Sequence, residues 1–129
     1  MARDPIDRNL IRLESRRFAT KCEAQIALVR RADTLREISR LALMPLPYAL
    51  TEDYGARDAQ NSVRTAAEDR ARELITDQIA NYVRAEPIAR EKFRRLVMDG
   101  WSNLTGPLGH LRGWAQSKLI AAEQIVKLG

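Results

Sequence analysis

Apolar side chains recur at helical spacing along nearly the whole chain, and breaks in that recurrence divide it into five stretches. In the first, Ile11, Phe18, Cys22 and Val29 fall within about 40° of one direction at 100° per residue. Arg8, Arg12, Arg16, Arg17, Lys21, Arg30 and Arg31 spread over the other side, interrupted by Glu23. Asp4 is placed to cap this helix, Pro5 to take its first position and Asp7 to add negative charge to its first turn. Near Thr34 the pattern changes phase: Leu35, Ile38 and Ala42 face away from the Ile11–Val29 direction. Thr34-Leu35-Arg36-Glu37 has the form of a capping box. Unbroken, the run from Asp4 to Met44 would span roughly 60 Å, against a radius of gyration of about 14 Å for a compact chain of this size. A bend is therefore predicted, giving helices at about 5–32 and 34–44, with a bent rod lying between subunits as the alternative. The rest of the chain is expected to be arranged around this run.

Pro45 and Pro47 stop it. The segment 45–56 holds Leu46, Tyr48, Leu50 and Tyr54, too apolar for a solvated linker, and Gly55 supplies a turn. It is expected to pack as an ordered arm across the helices or to cover a neighbouring subunit. Helical spacing returns at 57–84 through Ala59, Val63, Ala67, Ala71, Leu74, Ile75, Ile79 and Val83. The alanines in its first half predict close approach to a neighbour. A helix at 87–99 opens on Pro87, turns Ala89, Phe93, Leu96, Val97, Trp101 and Leu104 inward, and ends at Gly100. Pro107 opens the last helix, 107–128, whose inner face is Leu108, Leu111, Ala115, Leu119, Ala122 and Val126. No strand, internal repeat or low-complexity segment is evident. The prediction is all-α: four to five helices in one domain, 1–129, an elongated bundle with a Pro-rich arm at 45–56.

Charge adds placement more than magnitude. The net charge is +5, made of 18 arginines, 4 lysines and 17 acidic residues. Residues 1–44 carry +4, residues 45–86 carry −3 and residues 87–129 carry +4. An acidic middle between basic ends suits internal complementarity, head-to-tail self-association or nucleic acid. The arginine excess suits a polyanion, since the guanidinium forks onto phosphate and carboxylate, but it also follows from a GC-rich coding sequence. The lone Cys22, on an apolar stripe, excludes an internal disulfide and fits a reducing compartment, so the cytoplasm is expected. No apolar run approaches the roughly 18 residues that span a bilayer. The charged opening, with Arg3, Asp4, Asp7 and Arg8, is not expected to be a secretory signal.

Candidate chemistry is sparse. His110, the single histidine, is either an acid–base group or ligand at the mouth of the last helix or an exposed first-turn residue, and the second reading is favoured because no metal-ligand spacing surrounds it. Gly106, Gly109 and Gly113 lack the spacing and preceding strand of a phosphate loop. Gly109 and Gly113 suit close helix packing instead. Cys22 reads as core, and Asn103-Leu104-Thr105 as a chance glycosylation match. Ile6-Asp7-Arg8-Asn9-Leu10-Ile11-Arg12-Leu13, followed by Arg16-Arg17, loosely resembles the opening helix of the all-α chorismate mutases. There, arginines hold a dicarboxylate. The sequence then departs: Leu28 falls where a further basic residue is expected, and no Gln- or Glu-bearing partner helix or place for the Pro-rich segment is found. No active-site residue is carried over.

The expectation is a non-catalytic helical protein that works through protein–protein assembly, by self-association or as an adaptor or accessory component. Small helical proteins of phages and mobile elements offer a class-level analogy. Tyr48, Tyr54, Trp101, Trp114, Gly109 and Gly113 are its candidate interface residues. The alternative is nucleic-acid binding through Arg8, Arg12, Arg16, Arg17, Lys21, Arg30 and Arg31 of the first helix and Arg90, Arg94 and Arg95 of the 87–99 helix. A small all-α enzyme is a third reading. No cofactor, metal, membrane or small-molecule substrate is expected.

Overall fold

The computed structural model describes residues 5–128. Five helices account for most of them: α1 (Pro5–Arg31), α2 (Leu35–Leu41), α3 (Tyr54–Arg84), α4 (Pro87–Trp101) and α5 (Leu111–Leu128), with no strand among the described residues. The chain is all-α, as its periodicity predicts. The Asp4 cap and the Asp7 side chain lie outside the described residues.

The predicted bend is present. Helix α1 ends at Arg31, and Thr34 adopts an extended backbone (φ −126°, ψ 145°) that stops the helical ladder. The Thr34 hydroxyl then accepts from the Glu37 amide at 3.2 Å, restarting the chain as α2. Arg70 holds the bend from outside: its Nε donates to the Ala32 carbonyl at 3.0 Å, and its other nitrogens reach Asp33 at 3.6 Å and Glu73 at 3.0 Å. Helix α2 stops at Leu41, three residues short of expectation. Met44 precedes a proline, which disfavours helical backbone there, and Gln25 Nε2 takes up the terminal Leu41 carbonyl at 2.7 Å.

The element on which the others pack is α3, not α1. All four remaining helices touch it. Its 31 residues reach about 46 Å, and Ala56, Val63, Ala67, Ala71, Ile75 and Tyr82 are buried along it. The alanine-lined half lies against α1 with no side-chain bulk to hold the backbones apart, as predicted. Two apolar clusters result. Phe18 and Cys22 of α1 pack with Leu50, Ala56 and Val63. Val29, Leu35, Ile38, Ala71, Ile75, Val97, Trp101, Leu104, Leu108, Leu111 and Leu119 belong to the larger one.

The arm packs on its own chain. Leu50, in a 3-10 turn, is fully buried, and the Met44 carbonyl accepts from Gln60 Nε2 at 2.8 Å. Helix α3 begins at Tyr54 and runs through Gly55, which is therefore helical and not a turn. The earlier start comes from Asp53, whose Oδ2 accepts from the Ala56 amide at 2.8 Å and from Ser15 Oγ at 2.6 Å, tying the α3 cap to α1. Both bonds favour the ionised form, Ser15 most, and together they outweigh desolvation, so the Asp53 carboxyl sits below its usual range. With the folded pKa depressed, this stability is present above the unfolded value of about 3.9 and is lost as pH falls through the folded one. Asp53→Ala is expected to lower stability near neutrality by about 1 kcal/mol, as loss of a cap does. Melting curves should show the gap to wild type narrowing in acid. A gap unchanged below the depressed pKa would refute the linkage.

Three further expectations need correction. Helix α4 continues through Gly100 to Trp101, because the left-handed glycine is Gly106 (φ 55°), not Gly100. Ala89 and Leu96 are exposed, leaving Val97 and Trp101 buried and Phe93 half-buried against Tyr82 as the α4 contribution to the core. Pro107 opens a 3-10 turn at Gly106–Leu108, and α5 begins only at Leu111. The positive φ at Gly106 swings the chain so that Leu104, Leu108 and Leu111 can all point inward.

Candidate functional site

The seven basic residues of α1 divide by direction. Arg8, Arg12, Arg16 and Arg30 lie on one flank of the buried stripe, Arg17 and Lys21 on the other, and Arg31 near the outward face. All seven are exposed, and none forms an ion pair among the described residues. The α4 arginines differ. Arg90 donates to the Ala85 and Val83 carbonyls at 3.1 and 3.2 Å, closing the C-terminus of α3. Arg94 Nε meets Glu123 of α5 at 2.8 Å. Arg95 pairs with Glu91 at 3.4 Å while staying exposed. Arg90 and Arg94 thus act in the fold, and the basic stripe foreseen on that helix is mostly spent.

The aromatic candidates separate as sharply. Tyr48 and Tyr54 are 93% and 80% exposed. Trp101 is only 3% exposed and donates its indole N–H to Gln78 Oε1 at 3.1 Å, so it is a core residue and presents no contact surface. Trp114 is half-buried, with the Arg72 and Lys118 cations each 5.8 Å from a ring centroid. Gly113 has no neighbour within 4 Å of where a Cβ would stand, and Gly109 meets only the Gly106 carbonyl of its own turn. Neither glycine brings helices together within this chain.

His110 is exposed and placed 3.6 Å from Glu68, on which Arg64 and Arg72 also converge at 3.9 Å each. Arg64, Glu68 and Arg72 ascend α3 one turn at a time, and His110, Trp114 and Lys118 ascend beside them. Cys22 is buried, which pushes its thiol pKa up and away from the reactive thiolate. Among the described residues no group of three or more His, Cys, Asp or Glu side chains is placed to hold a metal, and no helix is long and apolar enough to cross a membrane.

Two open grooves of about 650 Å³ each adjoin at Leu43. One is lined by Leu43, Met44, Gln60, Asn61, Arg64 and Pro107. The other lies between α2 and the turn after α4, with Arg36, Arg40, Asn103 and Thr105 on its walls. Arg36 and Arg40 are not among the contacts predicted from the sequence, where Arg36 figures only within the capping box and both in the net charge. Their i,i+4 spacing on the polar side of α2 was the available signal; the wall opposite comes from more than sixty residues away. Comparison with protein-family models, curated proteins and solved structures gives no match.

Proposed function

We propose that this protein is a non-catalytic helical module that works by associating with other chains, in the first instance with another copy of itself. The observation that carries this reading is the outward face of α1. Leu10, Leu13, Arg17, Thr20, Ala24, Ala27 and Arg31 are all exposed and follow one another at spacings of 3, 4, 3, 4, 3 and 4. Four of the seven are apolar and Leu28 flanks them. That alternation is the seam along which two helices pack, and here it is turned away from α3. Tyr48 and Tyr54 extend the exposed apolar surface at the arm, and large aromatics contribute strongly at interfaces. The buried thiol of Cys22 is compatible with a reducing compartment, which keeps the cytoplasm as the proposed setting.

Sedimentation at low and high salt tests it. The expected result is a multiple of the 14.7 kDa chain mass that persists at high salt, with Leu13→Glu/Leu28→Glu returning the monomer. A wild-type monomer throughout the concentration series would overturn self-association.

A second reading is sequence-blind nucleic-acid binding, favoured by the exposed cations of α1, which form no ion pair among the described residues. It predicts affinity that falls steeply with salt and is lost in Arg12→Ala/Arg16→Ala/Arg17→Ala. No binding at about 50 mM salt would end it.

A further inference from the structure

The chain treats its arginines unequally. Arg64, Arg70, Arg72, Arg90, Arg94, Arg95 and Arg112 each engage a carboxylate or a carbonyl. Arg36 and Arg40, one turn apart on α2, engage neither among the described residues, and both line the groove of about 650 Å³ between α2 and the turn after α4. The opposite wall holds two more side chains without a partner among the described residues, the Asn103 amide and the Thr105 hydroxyl.

That wall is built to stay in place. Ser39, buried beneath it, donates to the Asn103 carbonyl at 2.7 Å and accepts from the Thr105 amide at 3.4 Å. From the other side Arg112 donates to the Leu104 carbonyl at 2.8 Å and the Ser102 carbonyl at 3.1 Å. Four backbone groups of one short turn are thus fixed by two side chains, and the backbone that carries the rim donors is in place before any ligand arrives. Preorganisation of this kind removes the ordering cost from binding.

We propose that this groove binds a phosphate of single-stranded nucleic acid, with Arg36 and Arg40 forking onto its oxygens and Asn103 and Thr105 donating from the opposite wall. Paired guanidinium groups suit a tetrahedral oxyanion because each presents parallel N–H donors. A strand fits better than a small phosphorylated metabolite because the groove is open at its end. Small-molecule sites enclose most of their ligand, whereas this groove continues past Leu43 into its neighbour, where Asn61 and the exposed Arg64, held only at 3.9 Å by Glu68, lie beside apolar Pro107. The strand therefore runs from Arg36 and Arg40 over Leu43 toward Arg64. No aromatic platform lines either groove, so the affinity comes from phosphate contacts and is salt-dependent. Glu37 also lines the groove and opposes the anion.

The site is distinct from the outward face of α1 and stands whether or not the protein self-associates. Fluorescence polarisation of a labelled oligothymidine of about fifteen nucleotides tests it. Arg36→Ala/Arg40→Ala is compared with Arg57→Ala/Arg84→Ala, which removes the same charge outside the groove. The expected result is an affinity loss of about tenfold or more, and a salt slope shallower by about 1, for the first variant only. Glu37→Gln should bind a few-fold more tightly. Equal losses from the two double variants would overturn the site in favour of a diffuse field, and absence of wild-type binding at low salt would overturn it outright. Saturation of the groove by inorganic phosphate, read from amide shifts at 102–105, without affinity for the oligonucleotide would overturn the assignment to a strand. All four arginines are exposed and their side chains form no ion pair or hydrogen bond among the described residues, and circular dichroism of each variant checks that folding does not need them.

Discussion

Trp101→Ala is expected to destabilise the fold by about 3–5 kcal/mol, the range for deleting a buried aromatic. In a chain of this size that lowers the melting temperature by roughly 10–20 °C. The indole sits in the larger apolar cluster with Val97, Leu104 and Leu108, and its N–H is used by Gln78. Removing it leaves a cavity where the end of α4 meets α3, and an amide oxygen that must find water. Trp114→Ala should cost less, about 1–2 kcal/mol, from the partial packing of its ring on the larger cluster and from the cation–aromatic contacts with Arg72 and Lys118. Thermal melts of the two variants measure the difference. Emission spectra give an independent reading, because each variant keeps one tryptophan: the buried Trp101 should emit to the blue of the half-buried Trp114. Comparable losses from both variants would show that the burial assigned here is wrong.

These two residues also show where the sequence runs out. Trp101 falls on the inward stripe of its helix and Trp114 beside the stripe of its own, and nothing in the spacing says how far either ring finds cover. The stripe of α1 was legible because Phe18, Cys22 and Val29 repeat over several turns on a helix long enough to average out exceptions. The bend at Thr34 was legible because its cap is local, a hydroxyl and an amide three residues apart. Helix ends set by distant partners were not. Tyr54 joins α3 because Asp53 meets Ser15, 38 residues earlier in the chain. Helix α4 misled at Ala89 and Leu96 because it rests on α3 through a narrow face, while a single-helix wheel assigns every apolar residue to one broad side.

Charged residues divide in the same way. Arg90, Arg94 and Arg12 are indistinguishable by sequence, each a basic residue on the polar side of an amphipathic helix. In the fold Arg90 closes the end of α3 and Arg94 ties α4 to α5, whereas Arg12 is exposed and pairs with nothing among the described residues. The groove at Arg36 and Arg40 was out of reach for a related reason. It exists only because Ser39 brings Asn103, 64 residues later, against α2. Long-range placement decides which cations are spent on the fold and which remain available, and composition carries none of it.

The same logic makes α3 the place where a small change has a large effect. Ala67 and Ala71 are fully buried in the larger cluster, which also holds Val29 of α1 and Leu35 and Ile38 of α2. Ala71→Leu adds three carbons with no void to receive them, so it is expected to cost about 1–3 kcal/mol through displaced neighbours. Alanine and leucine have nearly equal helix propensity, so the loss measures packing and not the helix itself. The exposed Ala121→Leu on α5 supplies the comparison and should stay within about 0.5 kcal/mol of wild type. Urea unfolding distinguishes the outcomes: Ala71→Leu should move the midpoint down at constant slope, the signature of lost stability without altered compactness. An unchanged midpoint would mean that α1 and α2 can retreat from α3 at no cost. In that case the close helix approach, and the groove walls positioned by it, would be far softer than the buried alanines imply.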